Sequence, residues 1–155
     1  FKGGNATINE EEEIINCKVV SYSNKIVKIE NAFHGRELFS LQKRDELKDL
    51  VTMVDDVVEL TQDPKTAIDG FKISFLSALL HSFFPKLVPI LDRRLLINLN
   101  LVNESDLNKN KQIKDFQFCY GKLIFRFHIL TNSTKKTVRD IDKDYFIRVL
   151  PNWAK

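Results

Sequence analysis

The sequence predicts an all-α fold, a single compact domain of five or six helices over residues 1–155. Three observations carry that expectation. Apolar residues recur at three- and four-residue spacing along most of the chain. A 43% hydrophobic content over 155 residues is enough for one buried core and too little chain for two ordinary domains. Four Pro and five Gly argue against a disordered or all-turn chain. Twelve Phe beside one Trp, three Tyr and one Met further predict a core filled by aromatic rings.

The elements follow in order. Ile15, Val19, Tyr22, Ile26 and Ile29 form one helical stripe, preceded by Asn9 as the cap and by Glu10 to Glu13, whose charge suits a helix start better than a metal site. A strand hairpin turning at Ser23-Asn24 is the competing reading of residues 17–30. Leu47, Leu50, Val51, Val54, Val57 and Val58 mark a second helix. A third spans Thr66 to Phe83 with Phe71, Phe75, Leu76, Leu79, Leu80 and Phe83 almost all round it, the signature of a central buried helix. Pro85 and Pro89 then force a straight, extended exit. Asp92 caps a fourth helix reaching about Val102, and Asn103 to Lys111 is a polar loop. Ile113, Phe116, Tyr120, Leu123, Ile124, Phe127 and Leu130 mark a fifth helix. A short sixth, capped by Ser133 or Thr134, carries Val138, Ile141 and Tyr145, with Tyr145 and Phe146 expected in the core.

Charge and cysteine usage narrow the function classes. Residues 1–64 hold eight Lys/Arg against thirteen Asp/Glu, whereas residues 109–155 hold eleven against four. A basic carboxy-terminal part is what a phosphate-binding protein would carry, and a solvated mixed-charge surface is the plainer alternative. The longest apolar run, Ile73 to Phe84, is interrupted by Ser74, Ser77, His81 and Ser82, so no membrane span is expected. Cys17 and Cys119 have neither zinc-ligand nor disulfide-framework spacing, which predicts no metal, no cofactor and a reducing cytoplasmic setting. No secretory signal is read at the amino terminus.

One stretch raises the reading above a helical domain. "GFKIS" (Gly70 to Ser74) stands at the entry to the third helix, and "PILDRRLL" (Pro89 to Leu96) at the start of the fourth, with Asp92 twenty residues beyond Lys72. This pattern resembles the helix-hairpin-helix DNA glycosylase superfamily, in which a Gly-x-Lys or Gly-x-Gln hairpin end is followed at that spacing by a catalytic aspartate. "PKLVPILDRR" from Pro85 and "VRDIDKDYF" from Val138 are similar to segments of uncharacterised bacterial relatives of that superfamily. The matching parts cover residues 64–148. "TAID" stands before Gly70 where the family's hairpin usually has its first glycine, and no iron–sulfur cysteine cluster is present.

What the resemblance implies is base-excision chemistry on DNA. Asp92 would stabilise the positive charge that develops as a glycosidic bond breaks, and Lys72 would be the amine able to attack the sugar carbon. Gly70, Arg93 and Arg94, with Lys122, Arg126, Lys135 and Lys136, would contact nucleic acid, alongside Lys109, Lys111 and Lys114. Each has a plainer reading: Asp92 as a helix cap, Lys72 as a cation reaching solvent, and the arginines in ordinary surface pairs. His81 is read as a satisfied core or rim histidine, and His34 is given no role. The Arg139 to Asp144 cluster is read as a salt-bridge array on a helix surface. The leading function is therefore a DNA-binding, base-excising domain. The alternatives are a catalytically silent interaction or regulatory module on the same scaffold, and a protein-binding helical adaptor with an exposed Phe-rich groove.

Overall fold

Two long amphipathic helices begin the fold and pack against each other: α1 (Glu12–Phe33) and α2 (Arg44–Glu59). The computed structural model describes residues 10–155. Helix runs unbroken through Ser23-Asn24, so the hairpin reading of residues 17–30 is excluded. Of the α1 stripe, Tyr22 and Ile29 are buried, while Val19 is exposed. The Asn9 cap lies outside the described residues. Glu11 takes the N-cap position without a side-chain cap bond, and Glu12 and Glu13 place negative charge in the first turn. Glu10 instead reaches across the fold: it accepts from the Asp69 backbone N–H at 2.8 Å and pairs with Lys18 at 2.6 Å, and Lys18 also donates to the Ala67 carbonyl.

The third helix is shorter than its apolar pattern implies. α3 spans Ile73–Phe83, and residues 60–72 are turns. Asp63 bonds the Lys65 N–H through its side chain, and Gly70 adopts φ +79°, a left-handed conformation that a continuing helix cannot contain. Lys72 is consequently the N-cap residue of α3 and not part of its body. Pro85 then opens a tight turn, closed by the Val88 N–H on the Phe84 carbonyl at 2.9 Å, so the exit is bent before it becomes extended.

α4 (Arg93–Asn98) is capped by Asp92 as expected but stops four residues before Val102. Asn100 takes φ +56°, its N–H bonds the Ile97 carbonyl, and the Leu101 N–H bonds the Leu96 carbonyl. That bond pattern is a Schellman ending with Asn in the position usually held by Gly. The fifth helix starts six residues later than expected, as α5 (Cys119–Thr134). Ile113 is held in an antiparallel bridge to Leu107, and the Lys114 N–H is spent on the Asp106 carbonyl, so these residues cannot join an α-helix. Ser133 and Thr134 close α5 instead of capping its successor. α6 (Val138–Phe146) is capped by Thr137 in a reciprocal box with Asp140.

α5, not α3, is the central element. It packs against α2, α6 and the short 3₁₀ turn Leu38–Ser40, and Tyr120, Leu123, Ile124 and Phe127 are fully buried on it. On α3, Leu76 and Leu80 are fully buried while Phe75 and Leu79 are only half-buried. The expected aromatic core is also overturned. Leu, Ile and Val fill most of the interior, and of the described Phe residues only Phe33, Phe84 and Phe127 are buried. Phe39, Phe83, Phe118, Phe125 and Phe146 are exposed, Phe118 by 71%. Among the described residues, no helix is long and apolar enough to cross a membrane, and both cysteines are free, Cys17 exposed and Cys119 buried.

The α2–α5 contact closes over Gly121. A Cβ added there would lie 2.9 Å from Val51 Cγ1, a β-branched side chain with little freedom to move aside. Gly121→Ala is expected to lower stability by about 1–3 kcal/mol through overpacking, despite its better helix propensity. Urea unfolding checks the sign.

Candidate active site

Asp92 stands where the buried proline passage meets α4. Leu87, Val88 and Leu91 are buried, so the carbonyls of this non-helical segment need partners inside the protein. They have them. The Leu38 N–H donates to the Lys86 carbonyl at 3.0 Å, His81 Nδ1 lies 2.8 Å from the Val88 carbonyl, and the buried Tyr120 hydroxyl donates to the Pro89 carbonyl at 2.9 Å. A carbonyl only accepts, so Nδ1 of His81 carries the hydrogen. His81 is thus a half-buried, satisfied histidine. His34 is exposed and pairs with Glu30.

Asp92 Oδ1 accepts from the Arg94 N–H at 2.7 Å and from the Leu95 N–H at 3.4 Å, while Oδ2 has no hydrogen-bond donor among the described residues. Asp92 also lines a cavity of about 460 Å³. The cavity's walls are mainly apolar, from Leu91, Ile113, Phe116 and Phe146, with Ser74, Arg93 and Gln112 as polar neighbours.

A second carboxylate lines the same cavity: Asp142, from the middle of α6. The sequence showed it as one of three acids, Asp140, Asp142 and Asp144, and the fold gives each a different use. Asp140 closes the Thr137 cap, and Asp144 pairs with Lys136 at 2.5 Å. Asp142 has neither a salt-bridge partner nor a hydrogen bond among the described residues. Burial pushes its carboxyl above the ordinary aspartate range and the charge of Asp92 adds to the effect, while His81 and Arg139 pull the other way. No ion pair joins members of the Arg139 to Asp144 cluster among the described residues; its one salt bridge, from Asp144, goes to Lys136 outside it. The signal for Asp142 was its alternation with Asp140 and Asp144, which means little until the face of α6 is known.

α4 and α6 are clamped across this cavity. Asn98 Nδ2 donates to the Tyr145 carbonyl at 2.7 Å, and Arg94 Nη2 to the Arg148 carbonyl at 3.2 Å, with the Arg94 guanidinium 5.2 Å from the centre of the Phe146 ring. Phe146 is exposed and walls the cavity instead of joining the core. Arg93 donates to the Lys111 carbonyl at 2.9 Å and to the Ala154 carbonyl at 2.7 Å. Both arginines thus hold backbone at the carboxy-terminal end.

The remaining sequence-predicted residues lie elsewhere. Lys72 is exposed, precedes the first turn of α3, and does not line the cavity, although Ser74 two residues on does. Gly70 turns the chain just before it. Lys122 and Lys135 are exposed, Lys135 at the left-handed C-cap of α5. Arg126 is half-buried with no partner for Nε among the described residues, and Lys136 is engaged with Asp144. No group of three or more His, Cys, Asp or Glu among the described residues is placed to hold a metal ion.

The sign of Asp142's contribution to stability follows from its raised position. Its carboxyl ionises less readily in the folded state than in the unfolded chain, so at neutral pH, where the unfolded chain is ionised, holding the group in this position costs stability. The penalty shrinks as pH falls below the folded-state value and is gone once the carboxyl of the unfolded chain is protonated as well. Asp142→Asn is expected to melt at a higher temperature than the parent at pH 7, with the difference closing on acidification toward pH 4. Calorimetry at both pH values measures this.

Comparisons with known proteins find no relative: no family model matches the chain, and neither a curated protein nor a solved structure matches it.

Proposed function

We propose that this chain is a DNA-binding, base-excising domain of the helix-hairpin-helix glycosylase type, hydrolysing the N-glycosidic bond of a nucleotide flipped into the Asp92 cavity. The single observation that carries the reading is the divided use of Asp92: Oδ1 serves the helix cap, and Oδ2, with no donor among the described residues, stands at the wall of a largely apolar cavity. A base taken out of its stack needs apolar and aromatic faces with few polar groups, and Phe116 and Phe146 are of that kind. Beside such walls, a carboxylate acts on a developing sugar cation with less screening than in water. The attacking nucleophile in this reading is water.

Lys72 takes a different part from the one its spacing implies. Its amine is exposed and does not line the cavity, so it is not placed to attack a nucleotide held there. We assign Gly70 and Lys72 to the phosphate backbone beside the flipped nucleotide, with exposed Lys122 and Lys135 as further phosphate contacts. Arg93 and Arg94 act through the carbonyls that they hold. Since the cap and these tethers serve the fold by themselves, a catalytically silent module that binds DNA is the second reading.

The test is base release from a panel of duplexes carrying damaged or mismatched bases, with DNA affinity measured at two salt concentrations. Asp92→Asn keeps the cap, since Asn caps nearly as well as Asp, and is expected to lower base release by about 10²–10³-fold with little change in stability. Lys72→Gln is expected to weaken DNA binding and flatten its salt dependence while leaving the rate at saturating DNA unchanged. Borohydride is expected to trap no covalent adduct with abasic DNA. Salt-dependent binding without base release would select the silent module, and absence of both would end the DNA reading.

A further inference from the structure

Asp92 and Asp142 reach one cavity from two elements fifty positions apart in sequence, the N-cap of α4 and the middle of α6. Their surroundings differ in one decisive respect. Two backbone N–H groups donate to the Asp92 carboxylate and stabilise negative charge there, whereas the Asp142 carboxyl accepts no hydrogen bond among the described residues. Two carboxylates facing one apolar cavity do not both ionise cheaply, and the proton stays on the one whose charge is less well supported. The groups acting on Asp142 are Asp92 at the α4 cap, His81 on α3 and Arg139 on α6; burial and Asp92 favour its protonated form.

We propose that Asp142 is the proton donor of the cavity, acting on the leaving base while Asp92 faces the sugar, and that the substrates are therefore N-glycosides of neutral bases. The inference rests on the base-excision reading above. In the step, the Asp142 O–H proton passes to a ring nitrogen of the base. The C1′–N bond breaks with its electron pair leaving on the base, and the C1′ cation forms beside Asp92. Water adds to C1′ and loses a proton to Asp92, and solvent exchange restores the proton on Asp142. One N-glycoside and one water give one free base and one sugar hemiacetal. A neutral base is a poor leaving group without that proton, whereas a base already cationic from alkylation departs without an acid.

That contrast supplies the test, made on the full chain with duplexes carrying either hypoxanthine, which is neutral, or 7-methylguanine, which is cationic. Asp142→Asn is expected to slow hypoxanthine release by about 10²–10⁴-fold, the range a positioned acid supplies, and to leave 7-methylguanine release unchanged. Asp92→Asn is expected to slow both. In the unaltered protein, hypoxanthine release should fall as pH rises through the deprotonation of Asp142, while 7-methylguanine release should not. This profile carries the test if Asp142→Asn fails to fold. Equal loss on both bases, no loss on hypoxanthine, or parent protein that releases only 7-methylguanine would each overturn the role of Asp142 and leave the base-excision reading standing. Parent protein that releases no base from either duplex or from the wider panel would overturn both.

Discussion

Residues 85–91 are largely buried and non-helical, and the rest of the architecture depends on how their carbonyls are satisfied. Pro85 and Pro89 deny this passage a helix, so the chain cannot supply the partners from its own ladder. Burying such a segment without partners would cost far more than the apolar contacts around Leu87, Val88 and Leu91 return. The partners come from three directions: the Leu38 backbone before α2, His81 on α3 and Tyr120 on α5. A single segment thereby fixes the mutual placement of three parts of the chain, and Asp92 is the first residue after it.

The consequences run outward from there. α5 is central because Tyr120 must reach Pro89 from inside the core, and its fully buried Leu123, Ile124 and Phe127 line the rest of that face. α4, only six residues long, has little stability of its own and is held by Asp92 at one end, by the Schellman ending at Asn100, by Asn98 bound to the Tyr145 carbonyl of α6, and by Arg94 bound to the Arg148 carbonyl just beyond it. The same clamp brings Asp142 opposite Asp92. The cavity is therefore walled by elements whose spacing is set by hydrogen bonds to backbone, a rigid setting for two carboxylates that differ in their support.

Helix number and type were legible in the sequence because apolar periodicity reports which face of a segment is buried, and α2 shows this at every one of its striped positions except half-buried Val51. Asp92 as a cap was legible for the same local reason. Boundaries failed wherever a long-range or backbone-specific interaction overrode the pattern: Gly70 and Asp63 before α3, Asn100 after α4, and the Leu107–Ile113 bridge before α5. Hydrophobicity also misled about the rings. A Phe on a helical stripe reads as core, yet Phe146 lies on the outer edge of its stripe, against Arg94 and the cavity. Of the site, one carboxylate could be found from its cap position and spacing. Asp142 could not, because its neighbour across the cavity lies fifty positions away and only the α4–α6 clamp brings them together.

The most direct test of this account is the stability of Tyr120→Phe by urea unfolding. The substitution keeps the ring and its packing and removes only the hydroxyl that reaches the Pro89 carbonyl. If the buried passage depends on that bond, stability falls by about 1–3 kcal/mol, because an acceptor is left unsatisfied in the core. Stability equal to that of the parent would contradict the account and mean that the position of Asp92 is fixed by packing alone.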